Sequence, residues 1–343
     1  MKDLFDRVDF GNLKLNSRIV RTGLWESERE KSGNFTPEIY NRYENMAASG
    51  VGLIITELFS LYPRDVFSKY TNTTHFTQFV REARDLTDLV HVYDVPIFAQ
   101  LGFVQFNKKA EHNIKVEDVT LEDIRKIQAD FIIAAVKFDF AGFDGIQIGL
   151  GNYYFLSRFI NPSFNTRDDD YGGSTFNRLR IVLEIIKVIK QKTNLHINCR
   201  LNAFDGTTNG MTLDETVEVA KLLEKYGVDS LQITRPRSPQ VFTKDNKESN
   251  PLIDATSKII DNVDIPVILG GGFSGQNQIN QILNESEIDY ISLQRPFVAD
   301  PSFLVDWQIE GNGESICRTC NNCYWKKTST CFINRPPKLN PKY

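Results

Sequence analysis

Short apolar runs rich in β-branched residues recur along the chain at Ile19–Val20, Val51–Thr56, Pro96–Leu101, Gly145–Leu150, His196–Leu201, Ser230–Thr234, Pro266–Leu269 and Tyr290–Leu293. Continuous apolar strands of this kind suit a parallel sheet covered on both faces. The segments between them carry helical spacing instead. Ile124, Ile127, Phe131, Ile132, Ala135 and Phe138 share one face of a helix beginning at Leu121, with Thr120 as its N-cap. Thr212 and Glu215 form a capping-box pair at the start of another helix. Strict alternation of eight strands with helices predicts βα units, and eight such units close into a (β/α)8 TIM barrel. Chemistry on that architecture lies at the C-terminal ends of the strands, so candidate residues are those just after each run.

At 343 residues, 41% hydrophobic and 24% charged, the chain reads as one barrel unit, with a cysteine-bearing extension from about residue 311 to 343. A formal charge of -4 without a basic run argues against a nucleic-acid groove or an anionic membrane surface, both of which need clustered Lys and Arg. The N-terminus, MKDLFDRVDF, lacks a signal-peptide core, and no long apolar run occurs elsewhere. The expectation is a cytoplasmic protein acting on a small molecule, with homo-oligomerisation open.

Gly270-Gly271-Gly272 follows the seventh strand and Arg295 the eighth, where barrels commonly bind phosphate. Glycines let backbone N–H groups approach a phosphate, and an arginine adds a two-pronged cation. A glycine triplet also serves as a plain turn. Arg200 lies inside the apolar fifth strand, where a charge needs either a ligand or an ion-pair partner.

The stretch from Ala141 to Arg178 carries Asn161-Pro162, Arg167, Asp168, Tyr171-Gly172-Gly173-Ser174 and Asn177-Arg178. In that order these residues resemble the fourth strand and following loop of the Old Yellow Enzyme family. The resemblance implies a TIM barrel binding FMN, reduced by NADH or NADPH, that passes hydride to an activated alkene or another small acceptor. It implies flavin contacts from Gly23, Leu24, Trp25 and Leu58, pyrimidine-edge contacts from Gln100 and Arg200, and a phosphate site built by Gly271, Gly272, Gln294 and Arg295. Trp25 replaces a small residue of the family, and Gln294 replaces a glycine. Tyr154 aligns with the family's proton donor, with Tyr153 beside it as the alternative, and Asn152 with a residue that holds the acceptor's carbonyl oxygen. Gly149 stands where the family carries a second, histidine donor, so Gly149→His is expected to speed acceptor reduction if Trp25 leaves room for the ring. Phe103 and Phe106 replace a His and an Arg, which implies an aromatic, less polar pocket.

Cys317, Cys320, Cys323 and Cys331 have spacing compatible with a metal or iron–sulfur site. They resemble, with shorter gaps, the cluster segment of the longer dienoyl-CoA reductase branch. The alternatives are a bound metal and a set of structural thiols. No second flavin domain lies within the 343 residues to feed a relay, so no redox-active cluster is expected. Cys199, inside a strand, reads as core. Two rival functions remain: a flavin-binding barrel with little catalysis, and a barrel lyase or isomerase acting on a phosphorylated metabolite. The latter would be favoured by a strand-end lysine, which the eight strands lack.

Overall fold

The barrel strands of the computed structural model are β1 (Ile19–Arg21), β2 (Leu53–Ser60), β3 (Ile97–Gly102), β4 (Gly145–Leu150), β5 (His196–Asn202), β6 (Ser230–Thr234), β7 (Val267–Gly270) and β8 (Tyr290–Leu293). The structure describes residues 1–23, 35–62, 72–74, 77–104, 115–152, 154–205, 209–235, 251–325, 331 and 333. Each strand pairs in parallel with the next, and β8 returns to β1 to close the ring. Outside lie α1 (Pro37–Ala48), α2 (Phe79–His91), α3 (Leu121–Phe140), α4 (Thr175–Lys192), α5 (Leu213–Lys225), α6 (Pro251–Ile260), α7 (Gln276–Glu285) and α8 (Phe303–Glu310). The predicted (β/α)8 architecture is therefore the observed one.

Local chemistry starts the helices where the sequence indicates. Thr120 accepts from the Asp123 amide while Asp123 reaches back to Thr120, and Thr212 and Glu215 do the same for α5. Each reciprocal pair satisfies donors that a helix start leaves unmatched. The Ser174 side chain caps α4 by accepting from the Asn177 amide.

Alternation along the strands divides the apolar residues into two cores. Ile146, Ile148, Ile197, Leu201, Leu231, Ile233, Leu269 and Ile291 face outward and pack beneath the helices. Inside the barrel, Val20, Leu53, Ile55, Phe98, Ile268 and Tyr290 form a floor. The sequence reading did not include the plug that seals this floor, an antiparallel hairpin of Val8–Phe10 and Leu13–Leu15. Its Phe10 stacks on His196 at 5.2 Å and meets Tyr290 edge-on at 4.9 Å.

Several strands run past the ends expected from the sequence. β2 runs to Ser60 rather than stopping at Thr56, because the chain bulges between Ile55 and Leu58 and then resumes pairing with β3. β3 continues past Gln100 to Gly102. After α8 the chain turns at Gly311, whose φ of +72° ends the helix in a left-handed conformation. It then docks on the β7–α7 loop through Gln276 N–H to Gly313 O and Ser315 N–H to Ser274 O. No helix among the described residues is long and apolar enough to cross a membrane.

Candidate active site

Above the apolar floor the barrel lumen turns polar. Gln147, Asn198, Ser230, Gln232 and Ser292 are fully buried, and Gln100 is 2% exposed. Gln100 Nε2 donates to Gln147 Oε1 at 2.7 Å, and Gln147 Nε2 donates to Asn198 Oδ1 at 2.7 Å and Gln232 Oε1 at 2.8 Å. Gln232 Nε2 in turn donates to Ser292 Oγ at 2.7 Å. Buried amides are tolerated only when paired, and each of these is. The sequence reading singled out Arg200 as a misplaced polar residue but passed over this layer. The same signal was available in Gln147, Asn198 and Gln232, polar residues at alternate positions of apolar strands.

The next level up is the mouth, where the expected cofactor residues gather. Arg200 is 8% exposed, lies two residues beyond Asn198 on β5, and stands in register with Gly149 of β4. Gly23 follows β1 so closely against β2 that an added Cβ would sit 2.0 Å from Thr56 O, so only glycine fits. Gln294 Nε2 donates to Gly23 O, tying the end of β8 to the end of β1 with its side chain. Leu58 lies just after the β2 bulge and against Gly102. Gly271 and Gly272 have φ of +69° and +101°, and nothing lies within 4 Å of a Cβ built on Gly271. That left-handed turn is open rather than a packed corner. Leu24, Trp25, Tyr153 and Phe106 lie outside the described residues.

The reacting face holds Asn152 and Tyr154, with one correction to the expectation for Gly149. Asn152 takes a left-handed φ of +57°, a conformation that asparagine adopts more readily than most residues. Its amide makes no hydrogen bond to the described residues. Tyr154 caps the short helix Phe155–Ile160, and its ring lies over Gly149. A Cβ at residue 149 would stand 2.6 Å from Tyr154 Cδ2 and 3.1 Å from Cε2. The space left by the missing histidine is thus filled by the tyrosine ring, and Gly149→His would collide with it.

Phe103 also departs from its expected place. Rather than lining a pocket, it is 1% exposed in the strand–helix core, stacked on Phe155 at 4.7 Å.

The signature loop that carried the family resemblance serves mainly as scaffold. Arg167 donates to the carbonyls of Val116 and Val119 and pairs with Asp169. Asn165 donates to the carbonyls of Phe159 and Tyr171, and Asn161 Nδ2 reaches Asp205 Oδ2 at 2.8 Å. Arg178 donates to Ile160 O and pairs with Glu215 at 2.8 Å, which locks the loop to α5. These bonds hold the segment that presents Tyr154.

Past the end of β8, Cys317, Cys320, Cys323 and Cys331 line one cavity with Arg295 and Asn321. Arg295 Nη1 donates to Asn321 Oδ1 at 2.7 Å, which ties the cysteine loop to the end of β8. Burial raises the Cys317 thiol, and it pushes Cys323 up to about 11 against the pull of Arg295. Among the described residues, no group of three or more His, Cys, Asp and Glu side chains stands where it could hold one metal ion. The thiols share a cavity. All five cysteines are thiols rather than disulfides, and Cys199 is buried core as expected.

The mouth has what a phosphorylated flavin requires: an open left-handed glycine turn for the phosphate, a guanidinium on β5, and an oriented amide at Gln100. The NADH oxidase of Thermoanaerobacter brockii is 27% identical over 344 residues, covering 93% of this chain, and the chain spans 53% of that protein's length. The NADPH dehydrogenase of Bacillus subtilis (strain 168) is 26% identical over 316 residues, which cover 88% of this chain and 93% of the dehydrogenase. The solved structure of the old yellow enzyme homologue from Zymomonas mobilis superposes with a TM-score of 0.75 at 23% identity, covering 93% of this chain and 96% of that one, a likeness of fold. A profile of the NADH:flavin oxidoreductase / NADH oxidase family matches residues 102–310, well over half of the chain. The chain therefore belongs to that family of oxidoreductases, which work with FMN and a reduced nicotinamide on a (β/α)8 barrel.

Proposed function

We propose that the protein binds FMN across the barrel mouth, takes reducing equivalents from NADH or NADPH, and reduces an activated alkene or a related small acceptor. The observation that carries this reading is that Gly271 and Gly272 follow β7 while Gln100 and Arg200 lie in the C-terminal halves of β3 and β5. FMN, when bound, would supply the hydride transfer that amino-acid side chains cannot. The phosphate would rest on the Gly271–Gly272 turn beside Arg295, with Gly23, Leu24, Trp25, Leu58 and Gln294 around the ring system. The Arg200 guanidinium would balance negative charge at the pyrimidine edge and favour the reduced state. On the acceptor side, Asn152 would donate its amide hydrogen to a carbonyl oxygen, and Tyr154 would deliver a proton to carbon, provided its hydroxyl is held close to the acceptor.

A second reading follows from Gly149. With the histidine replaced and the tyrosine ring in its place, the site has one fewer donor for an oxyanion, which favours a flavin barrel with weak activity on simple enones. The visible spectrum of purified protein, before and after NADH or NADPH, tests the shared core of both readings. Colourless protein that takes up no added FMN would overturn them. Arg200→Ala is expected to weaken FMN binding and to slow reduction by nicotinamide; unchanged values would assign Arg200 to an ion pair instead.

A further inference from the structure

The amides of the barrel lumen form a chain whose direction is set from both ends. At one end Ser292 Oγ donates to the Leu269 carbonyl, so it accepts from Gln232 Nε2. The Gln232 oxygen then accepts from both Thr22 Oγ1 and Gln147 Nε2. At the other end His196, whose pKa burial lowers to about 4, is a neutral ring. A neutral imidazole has one donor and one acceptor nitrogen. Nδ1 lies 3.1 Å from the side-chain Oδ1 of Asn12, and the tautomer that donates to it leaves Nε2 to accept from Ser230. Ser230 Oγ accepts from Asn198 Nδ2, which leaves Asn198 Oδ1 to accept from Gln147 Nε2. Both branches meet at Gln147 and require its nitrogen to point inward. Its oxygen must then face Gln100, where it receives Gln100 Nε2 at 2.7 Å.

We infer that Gln147 is a positioning residue: it holds the Gln100 amide so that its carbonyl oxygen faces the mouth and selects a ligand edge bearing an N–H donor. In a flavin that donor is the imide N–H of the pyrimidine ring. The inference rests on the proposed FMN site and adds a residue that does not touch the ligand. Reversing the Gln100 amide would set its oxygen against the Gln147 oxygen, and restoring the bond would mean turning the buried amides Gln147, Gln232 and Asn198 as well. Such coupled buried networks stabilise one arrangement over its mirror polarity.

The test compares FMN with 3-methyl-FMN, in which a methyl group replaces the imide hydrogen. Dissociation constants are measured by flavin fluorescence with deflavinated wild type, Gln147→Met and Ser292→Ala. Wild type is expected to bind FMN at least about tenfold more tightly than the methylated form, roughly the discrimination of one buried hydrogen bond. Gln147→Met frees the Gln100 amide to rotate, so the preference is expected to shrink several-fold. Ser292→Ala loosens the far end of the chain without touching Gln100, and is expected to shrink the preference by less. A merely structural role for Gln147 would lower the melting temperature and leave the ratio unchanged, and that outcome overturns the inference. If Gln147→Met fails to fold, a wild-type ratio near one overturns it equally. Failure of wild type to bind either flavin would instead sink the FMN reading, and this inference with it.

Discussion

Replacing Gly149 with alanine tests the reacting face most directly, because one methyl group meets one ring. The new Cβ would lie 2.6 Å from Tyr154 Cδ2, whereas ordinary contact begins at 3.4 Å, so something must move by about 0.8 Å. The backbone at Tyr154 is held by Tyr154 N–H to Gly151 O at 3.3 Å, Phe155 N–H to Phe103 O at 2.9 Å and Ser157 Oγ to Tyr154 O at 2.8 Å. Phe155 is itself buried against Phe103 and Phe159. The ring therefore yields before the chain does. A displacement near 1 Å in a positioned catalytic group can cost roughly 100-fold in rate, so acceptor reduction by Gly149→Ala is expected to slow by about 10-fold to 100-fold. Reduction by nicotinamide, which does not draw on the Tyr154 proton, is expected to change by less than about threefold on the same reasoning. Anaerobic stopped-flow traces of the two half-reactions measure both, with an activated alkene such as cyclohexenone as acceptor. Gly149→His, with a larger side chain, is expected to do worse than alanine rather than restore a donor. The control is Tyr154→Phe: in that background Gly149→Ala is expected to lose its effect, since neighbours acting through one group are not additive. An alanine variant as fast as wild type, or a penalty that persists undiminished in the phenylalanine background, would refute the placement of Tyr154 as proton donor over Gly149.

Four further outcomes follow from the structure. Burial holds the folded-state pKa of His196 at about 4, below the 6.5 of a solvated histidine, so its contribution is present above pH 6.5 and lost as pH falls toward 4, with a slope near 1.4 kcal/mol per pH unit; denaturant unfolding across that range should show the slope flatten in His196→Gln. The hydrogen bond that His91 donates to the Asp144 carboxylate raises its pKa, which acts with the opposite sign, stabilising below pH 6.5 and fading as pH rises through the raised value, so His91→Gln should lose stability at pH 6 but not at pH 9. Among the thiols, exposed Cys320 is expected to react first with iodoacetamide at pH 7 and buried Cys199 last, with Cys317 and Cys323 slowed by their raised pKa, as read by peptide mass spectrometry; equal protection of Cys317, Cys320, Cys323 and Cys331 together would reveal a shared metal. Arg178→Met is expected to cost on the order of 2 kcal/mol in unfolding free energy, by leaving the buried Ile160 carbonyl and Glu215 without their donor.

The alternation of β-rich and helical segments was legible in the chain because both patterns are local. A period of two with β-branched residues, or Thr120 three residues before Asp123, is decided by neighbours in sequence. The eightfold repeat of that alternation was enough to indicate a barrel, and the barrel in turn indicated the strand ends as the site. Arg200 and the glycine turn at Gly271 were found in this way, each by being the wrong residue type for its surroundings.

What only the tertiary structure decided depends on which side chains from distant segments meet. Period-two alternation says that Gln147 and Asn198 leave the apolar face of their strands, but not that β3, β4, β5, β6 and β8 deliver their amides to one connected chain. The hairpin plug stayed hidden because its strands are three residues each, too short for a periodic signal. Gly149 read from sequence as a lost donor, whereas in space it is the room that the Tyr154 ring occupies. Phe103 read as a pocket wall, and the strand pleat turns it into the core instead. The cysteine spacing suggested a site of its own, while the fold sets it against Arg295. In each case a residue's chemistry was fixed by its type, and its role by a neighbour brought near only when the eight strands closed into a ring.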